Sequence, residues 1–375
     1  MIVSIAVNAA WNVVNFRLGL IKALLALGHQ VHVLAPQGPE FTVLERLGCV
    51  THVLDIDCKG THPVKDFRLM LQLRACYARI KPDIALHYTI KPVIYGSLAA
   101  RSLGVPVLNT ITGLGTAFLS VGWLQSMVRY LYRVALRQAH VVIFQNPDDR
   151  QLFLDHALVQ PQQAMLVPGS GIDTQRFLPC ALPDQDGHSP VFLLLGRILR
   201  DKGVVEYVEA ARMLKARCPG ARFALLGFLD VENVSAISRA QMDAWVAEGV
   251  IEYWGETHDV RPMIARADCV VLPSYREGMP RTLLEAAAMA RPLVASDVPG
   301  CREVVSDGVN GFLCEVKSAS ALAQAMAQVV TLSPAARQVL GNAGRSRVEQ
   351  AFALDQVVDC YLQAIRVVVK HINKS

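Results

Sequence analysis

The chain has 375 residues, 52% of them hydrophobic and 18% charged, with a formal net charge of +5. That length suits two domains of ordinary size, and the apolar share suits large cores. The mild positive excess comes without a basic block interleaved with aromatics, which argues against a nucleic-acid binder and suits a partner carrying phosphate: a nucleotide, a lipid diphosphate or an anionic membrane.

The first residues, MIVSIAVNAAW, lack the basic start of a signal peptide and read as a first strand. IVSIAV (2–7) is a continuous apolar run, and FRLGLIKALLALG (16–28) follows with helical spacing, ended by Gly28. QVHVLAP (30–36), THVLDI (51–56), DIALHY (83–88), VPVLNTI (105–111) and HVVIFQN (140–146) continue the strands, with helical segments between them. Strand and helix in alternation predict a parallel sheet covered on both faces.

From Ser102 to Val128 there is no charge, but Pro106, Asn109, Gly113, Gly115, Ser120 and Gly122 break the stretch before it spans a bilayer as one helix. VGWLQSMVRYLYRVALRQ (121–138) places Trp123, Leu124, Met127, Leu131 and Tyr132 among Arg129, Arg133 and Arg137. A basic amphipathic helix of this kind lies in a membrane interface; the plainer alternative is a domain helix with its apolar side in the core.

Residues 164–190 are rich in Gly, Pro, Asp and Gln and read as an interdomain linker. The pattern then restarts with PVFLLLGR (190–197), ARFALLG (221–227), VIEYWG (250–255), CVVLPS (269–274), RPLVAS (291–296) and GFLCEV (311–316). The last sixty residues or so look all-helical. The expected division is an N-terminal domain over 1–170, a C-terminal domain over 185–352, and a final helix over 353–375 returning to the first domain. The fold class is α/β, with two doubly wound domains whose ligands sit off the carboxyl ends of the strands, in the cleft between two such sheets. Nine cysteines are scattered singly with no C-x-x-C pair, which points to reduced core thiols and away from a zinc site.

Chemistry concentrates in the second half. SYREGMPRTLLEAAAM (274–289) carries Glu277 and Glu285 eight positions apart, in a strand–turn–helix context with Pro280 at the first helical position. Such a helix start favours a phosphate. A carboxylate on either side of it matches a sugar diol and a ribose diol. Alone, each glutamate would be an ordinary solvated side chain. LLLGRILRDKG (193–203) adds Arg197 directly after a strand and Lys202 before the next helix. Two cations there neutralise a diphosphate and stabilise the charge of a departing one, although surface salt bridging is the ordinary use of such residues. Asp55-Ile56-Asp57 is a D-x-D, which in another transferase fold ligates a metal; here it ends a predicted strand and reads as structural.

Arg197 with Lys202, then Glu277 and Glu285, with PGSGIDTQRF (168–177) and DGVNGFLCE (307–315), resemble the family 4 retaining glycosyltransferases of the GT-B fold over nearly the full chain. The resemblance implies two Rossmann-like domains facing across a cleft. Arg197 and Lys202 would hold the donor diphosphate, Glu277 the donor sugar and Glu285 the ribose. Gly278, Met279 and Pro280 would approach the sugar and phosphate. It also implies no metal and no cofactor, with the UDP-sugar a substrate. The segments NFR (15–17), IKPVIYGSLAA (90–100), TGLG (112–115) and GIDTQRF (171–177) are similar to those of bacterial enzymes that extend undecaprenyl-diphosphate-linked sugars. On that likeness Arg17, Lys91, Thr112 and Gly113 serve the acceptor, with helix-end cations the alternative for Arg17 and Lys91. A lipid-linked saccharide acceptor implies a cytoplasmic enzyme, peripheral at the anionic inner face of the plasma membrane. Two departures stand out. Asn8-Ala9-Ala10 replaces the Gly-Gly common after the first strand, and no histidine stands in TGLG, which leaves any general base unidentified; His87 stands near a strand end, where a lone histidine is more often a packed one. An epimerase on the same fold, or a non-catalytic sugar-nucleotide-binding partner, are the competing functions.

Overall fold

The structure is a computed structural model and describes residues 1–57, 62–114, 122–183, 190–229 and 233–372. The chain forms two compact units. One is Met1–Gly171 together with the segment from Leu354, and the other is Ile172–Ala353.

The first unit holds seven strands: β1 (Ile2–Ala6), β2 (Gln30–Ala35), β3 (Val50–Val53), β4 (Ile84–Tyr88), β5 (Val107–Ile111), β6 (Val141–Phe144) and β7 (Ala164–Leu166). Their order is β3-β2-β1-β4-β5-β6-β7, all parallel, so the winding reverses between β1 and β4. Both faces are covered, which explains the unbroken apolar runs. In β4, Ile84, Leu86 and Tyr88 enter one core and Ala85 the other. Helix Leu354–Ile372 completes the first of these cores with Val357, Val358, Tyr361, Ala364, Ile365 and Val368.

Two features differ from the sequence expectation. The helix expected over 16–28 is Leu18–Ala26, and a further helix, Ala10–Phe16, precedes it, the two parted at Arg17 (φ −126, ψ 0). Hydrogen bonding runs through the break, Arg17 N donating to Val13 O at 2.8 Å and Ile21 N to Arg17 O at 2.9 Å. Strand β7 falls within the stretch read as linker; its three residues are too few to show a period, and only pairing with β6 makes them a strand. The last part of that linker, 184–189, lies outside the described residues.

The second unit holds β8 (Val191–Leu195), β9 (Arg222–Leu226), β10 (Glu252–Tyr253), β11 (Cys269–Leu272), β12 (Leu293–Ser296) and β13 (Gly311–Cys314). They form a parallel sheet in the order β10-β9-β8-β11-β12-β13, and the winding reverses between β8 and β11. Only Glu252 and Tyr253 of VIEYWG pair as strand, because β10 is an edge. No helix among the described residues is long and apolar enough to cross a membrane.

Candidate functional site

Two loops leave the carboxyl ends of β8 and β11, at the point where the winding reverses and where open parallel sheets bind ligands. The loop after β8 carries Arg197 and a 3-10 turn, Arg200–Lys202, before helix Val204–Lys215. The loop after β11 carries Glu277, Gly278, Met279 and Pro280 before helix Arg281–Ala288.

The structure joins these loops through Lys202 and Glu277, whose ammonium and carboxylate form an ion pair with 23% and 12% side-chain exposure. Gly203 makes the approach possible. Its φ is +72, and a Cβ there would lie 2.1 Å from Pro273 O. Tyr275 N donates to Asp201 O at 2.9 Å, and the Tyr275 hydroxyl donates to Glu206 Oε1 at 2.7 Å. Lys317 Nζ sits 4.7 Å from the Tyr275 ring centre. Glu277 N donates to Pro299 O at 3.3 Å, so the loop after β12 holds the Glu277 backbone. Sequence reasoning missed Tyr275 and Glu206, because their contact is a fact of packing between two crossovers. Tyr275→Phe removes one bond of this staple and leaves the ring. It is expected to raise KM for the ligand that these two loops bind about three- to tenfold, with a smaller change in kcat, read by steady-state kinetics.

Helix Arg281–Ala288 has no side-chain cap at its amino end. Pro280 is the N-cap residue (φ −76, ψ 104) and not the first helical residue, as the sequence suggested; its extended ψ does not enter the helix, which begins at Arg281. Thr282 Oγ1 donates to Leu195 O at 3.4 Å, which ties this helix start to the end of β8. Glu285 lies in the second turn and accepts from Arg281 Nε at 2.8 Å, with 12% side-chain exposure. Burial pushes its carboxyl above the usual range, and the Arg281 guanidinium opposes that shift. Arg197 is exposed and makes no ion pair among the described residues. The arrangement thus offers one uncommitted cation, one cation held by a carboxylate, an uncapped helix start and a second, buried carboxylate.

The residues expected to serve an acceptor are held differently from free cations. Lys91 Nζ pairs with Asp66 Oδ1 at 2.7 Å, and the Tyr95 hydroxyl donates to Asp66 Oδ2 at 3.1 Å. An ammonium with 14% side-chain exposure requires such a partner. Arg17 is 6% exposed, and its guanidinium carbon stands 4.1 Å from the Tyr88 ring centre and 5.9 Å from that of Tyr361. It is therefore a stacked, nearly covered cation. Thr112 and Gly113 follow β5 and are half-buried, Gly113 with φ +136; Gly115 lies outside the described residues. Of the D-x-D, Asp57 pairs with Lys65 at 2.9 Å, and no cluster able to hold a metal occurs among the described residues.

His87 is fully buried. Its Nδ1 is 2.8 Å from Asn109 Oδ1 and its Nε2 2.8 Å from the Tyr77 hydroxyl, so Nδ1 carries the proton and Nε2 accepts. Burial lowers its pKa to about 4, which makes it a packed neutral residue. An unfolded histidine takes up a proton near pH 6.5, before the folded one does. Stability is therefore expected to fall by about 3 kcal/mol as pH drops from 6.5 to 4. His87→Gln should flatten that part of the unfolding curve measured against pH.

Comparison with known proteins gives this geometry a context. The model of the family described as "Glycosyl transferases group 1" matches residues 189–331, and that described as "Glycosyl transferase 4-like" matches residues 3–146. The chain is a glycosyltransferase. It is 26% identical, over 97% of its length and 98% of the relative's, to the N,N'-diacetylbacillosaminyl-diphospho-undecaprenol alpha-1,3-N-acetylgalactosaminyltransferase of Campylobacter jejuni. It is 23% identical, over 82% of each chain, to the UDP-Gal:alpha-D-GlcNAc-diphosphoundecaprenol alpha-1,3-galactosyltransferase of Escherichia coli. Among solved structures, HepE of Anabaena in complex with UDP-glucose superposes with a TM-score of 0.76 at 18% identity, covering 98% of this chain and 99% of that one. This glycosyltransferase has the GT-B fold, built from two Rossmann-like parallel-sheet units.

Proposed function

We propose that this glycosyltransferase moves a hexose or N-acetylhexosamine from a UDP-sugar to a hydroxyl of an undecaprenyl-diphosphate-linked saccharide, with retention of the anomeric configuration. The product would belong to bacterial surface polysaccharide or glycan assembly. The observation that carries the reading is the partly buried Lys202–Glu277 pair at the reversal point of the second sheet, beside an uncapped helix start. The two relatives named above, both acting on diphosphoundecaprenol-linked sugars by their names, support the acceptor class.

In this reading Arg197 and Lys202 neutralise the donor diphosphate, and the start of helix Arg281–Ala288 adds its partial positive charge. Gly278, Met279 and Pro280 line the approach. Glu277 exchanges part of its bond to Lys202 for hydroxyls of the donor sugar, and Glu285, held by Arg281, accepts from the ribose diol. The bond from the anomeric carbon to the β-phosphate oxygen breaks, and the acceptor oxygen bonds to that carbon on the same face. The acceptor's proton passes to the departing phosphate oxygen, so no separate base is needed. The two cations supply the charge stabilisation that a metal supplies elsewhere, and we propose that no metal or cofactor takes part. The first unit, with Arg17, Lys91, Thr112 and Gly113, serves the acceptor, and the enzyme works on the cytoplasmic face of the membrane without crossing it.

The test is incubation with labelled UDP-hexoses and UDP-N-acetylhexosamines, with and without a short-chain polyprenyl-diphosphate saccharide, in EDTA. Label should enter the organic phase only when the acceptor is present. Turnover of the UDP-sugar alone would make the protein an epimerase. Transfer abolished by EDTA and restored by a divalent cation would end the metal-free mechanism.

A further inference from the structure

Helix Pro63–Ile80 buries Leu69, Leu73, Tyr77 and Ile80 on its inward face, together with Asp66. On the opposite face Val64, Phe67 and Leu71 stand 56%, 55% and 46% exposed. Their spacing of three and four residues makes one continuous apolar stripe in water. Helix Trp123–Leu136 repeats the pattern. Val128, Tyr132, Ala135 and Leu136 face inward, while Trp123 and Tyr130 stand 75% and 61% exposed. Tyr132, which the sequence grouped with the membrane-facing residues, is 1% exposed and packs edge-on against Phe153, so Tyr130 takes the outer place.

The two helices belong to the same side of the first sheet. Their inner residues share one core, and both pack against the segment Pro92–Arg101. The first carries Lys65, Arg68, Arg74 and Arg79, and its one acid, Asp66, is buried against Lys91. The second, with Arg137 at its end, carries Arg129, Arg133 and Arg137 and no acid. Together they hold a net +6, one charge of which Asp57 offsets at Lys65, against +5 for the whole chain.

We infer that these two helices form one docking platform for an anionic phospholipid bilayer, with Phe67, Leu71, Trp123 and Tyr130 seated at headgroup depth. Exposed aromatics beside cations match the chemistry of that interface, and apolar side chains there leave water. A second copy of the chain is the weaker occupant, because it would bring an equal positive face against this one. The inference rests on the proposed lipid-anchored acceptor, whose diphosphate lies at the same depth, and it extends membrane contact to a helix outside the amphipathic segment at 121–138.

The experiment is co-sedimentation of the full chain with vesicles of phosphatidylcholine alone and with phosphatidylglycerol added. Binding should require the anionic lipid and weaken as salt rises. Phe67→Ser with Leu71→Ser should lower vesicle affinity at least about tenfold. The same variant should keep its unfolding midpoint and its rate on a water-soluble short-chain acceptor. Unchanged vesicle binding by that variant overturns the platform. So does a wild-type dimer that the double substitution dissociates, since the stripe would then belong to a second copy. Failure of the wild type on the short-chain acceptor would refute the acceptor reading instead, and vesicle binding would still decide the platform.

Discussion

Glu277→Ala is expected to lower kcat by about a hundredfold or more while the protein stays folded. The carboxylate is the partner of Lys202; in the proposed function it also orients the donor sugar's hydroxyls, so its loss would remove that contact and the restraint on the cation proposed to hold the diphosphate. The fold survives because the side chain belongs to a loop, and the ammonium left behind keeps 23% exposure to water. Glu277→Gln separates the two effects. It keeps hydrogen bonding to the sugar and loses the charge that holds Lys202, so it should fall between wild type and alanine. Near-normal transfer by the alanine variant, with an unchanged unfolding midpoint, would remove Glu277 from the mechanism.

Gly203→Ala should damage both stability and activity. A left-handed φ of +72 already disfavours alanine by about 1 kcal/mol. The added Cβ would stand 2.1 Å from Pro273 O, so the turn bearing Lys202 and the strand end leading to Glu277 must separate. We expect a clearly lower unfolding midpoint and a fall in kcat/KM of roughly a hundredfold, because positioning is the quantity being spoiled. Gly249→Ala is the control: its φ is +74, and nothing lies within 4 Å of the added Cβ. It should show the backbone strain alone, with kinetics near wild type.

Much of the fold was legible because a parallel sheet covered on both faces demands long apolar strands, and those runs stand out from the helices that follow them. What escaped were elements that depend on neighbours. Strand β7 exists by pairing with β6, and the break at Arg17 is one residue deep. In the candidate site, the places of Arg197, Lys202, Glu277 and Glu285 after β8 and β11 could be read from spacing, since strand–turn–helix succession sets them along the chain. Their partners could not. Asp66 is 25 residues from Lys91 in sequence, and the phenol that covers Arg17 beside Tyr88 comes from Tyr361 in the last helix. Helical phase also decided the outer face of Trp123–Leu136. The sequence placed Tyr132 among the outward residues, but the core claims it and Tyr130 stands outside instead.

The account depends on Arg197, Lys202, Glu277 and Glu285 serving one nucleotide-diphosphate site on the second unit. Calorimetric titration with UDP tests it most directly. The wild type should bind UDP in EDTA with one site per chain, and Lys202→Ala and Glu285→Ala should each weaken binding about tenfold or more. UDP bound equally well by all three proteins, or by none of them, would contradict it.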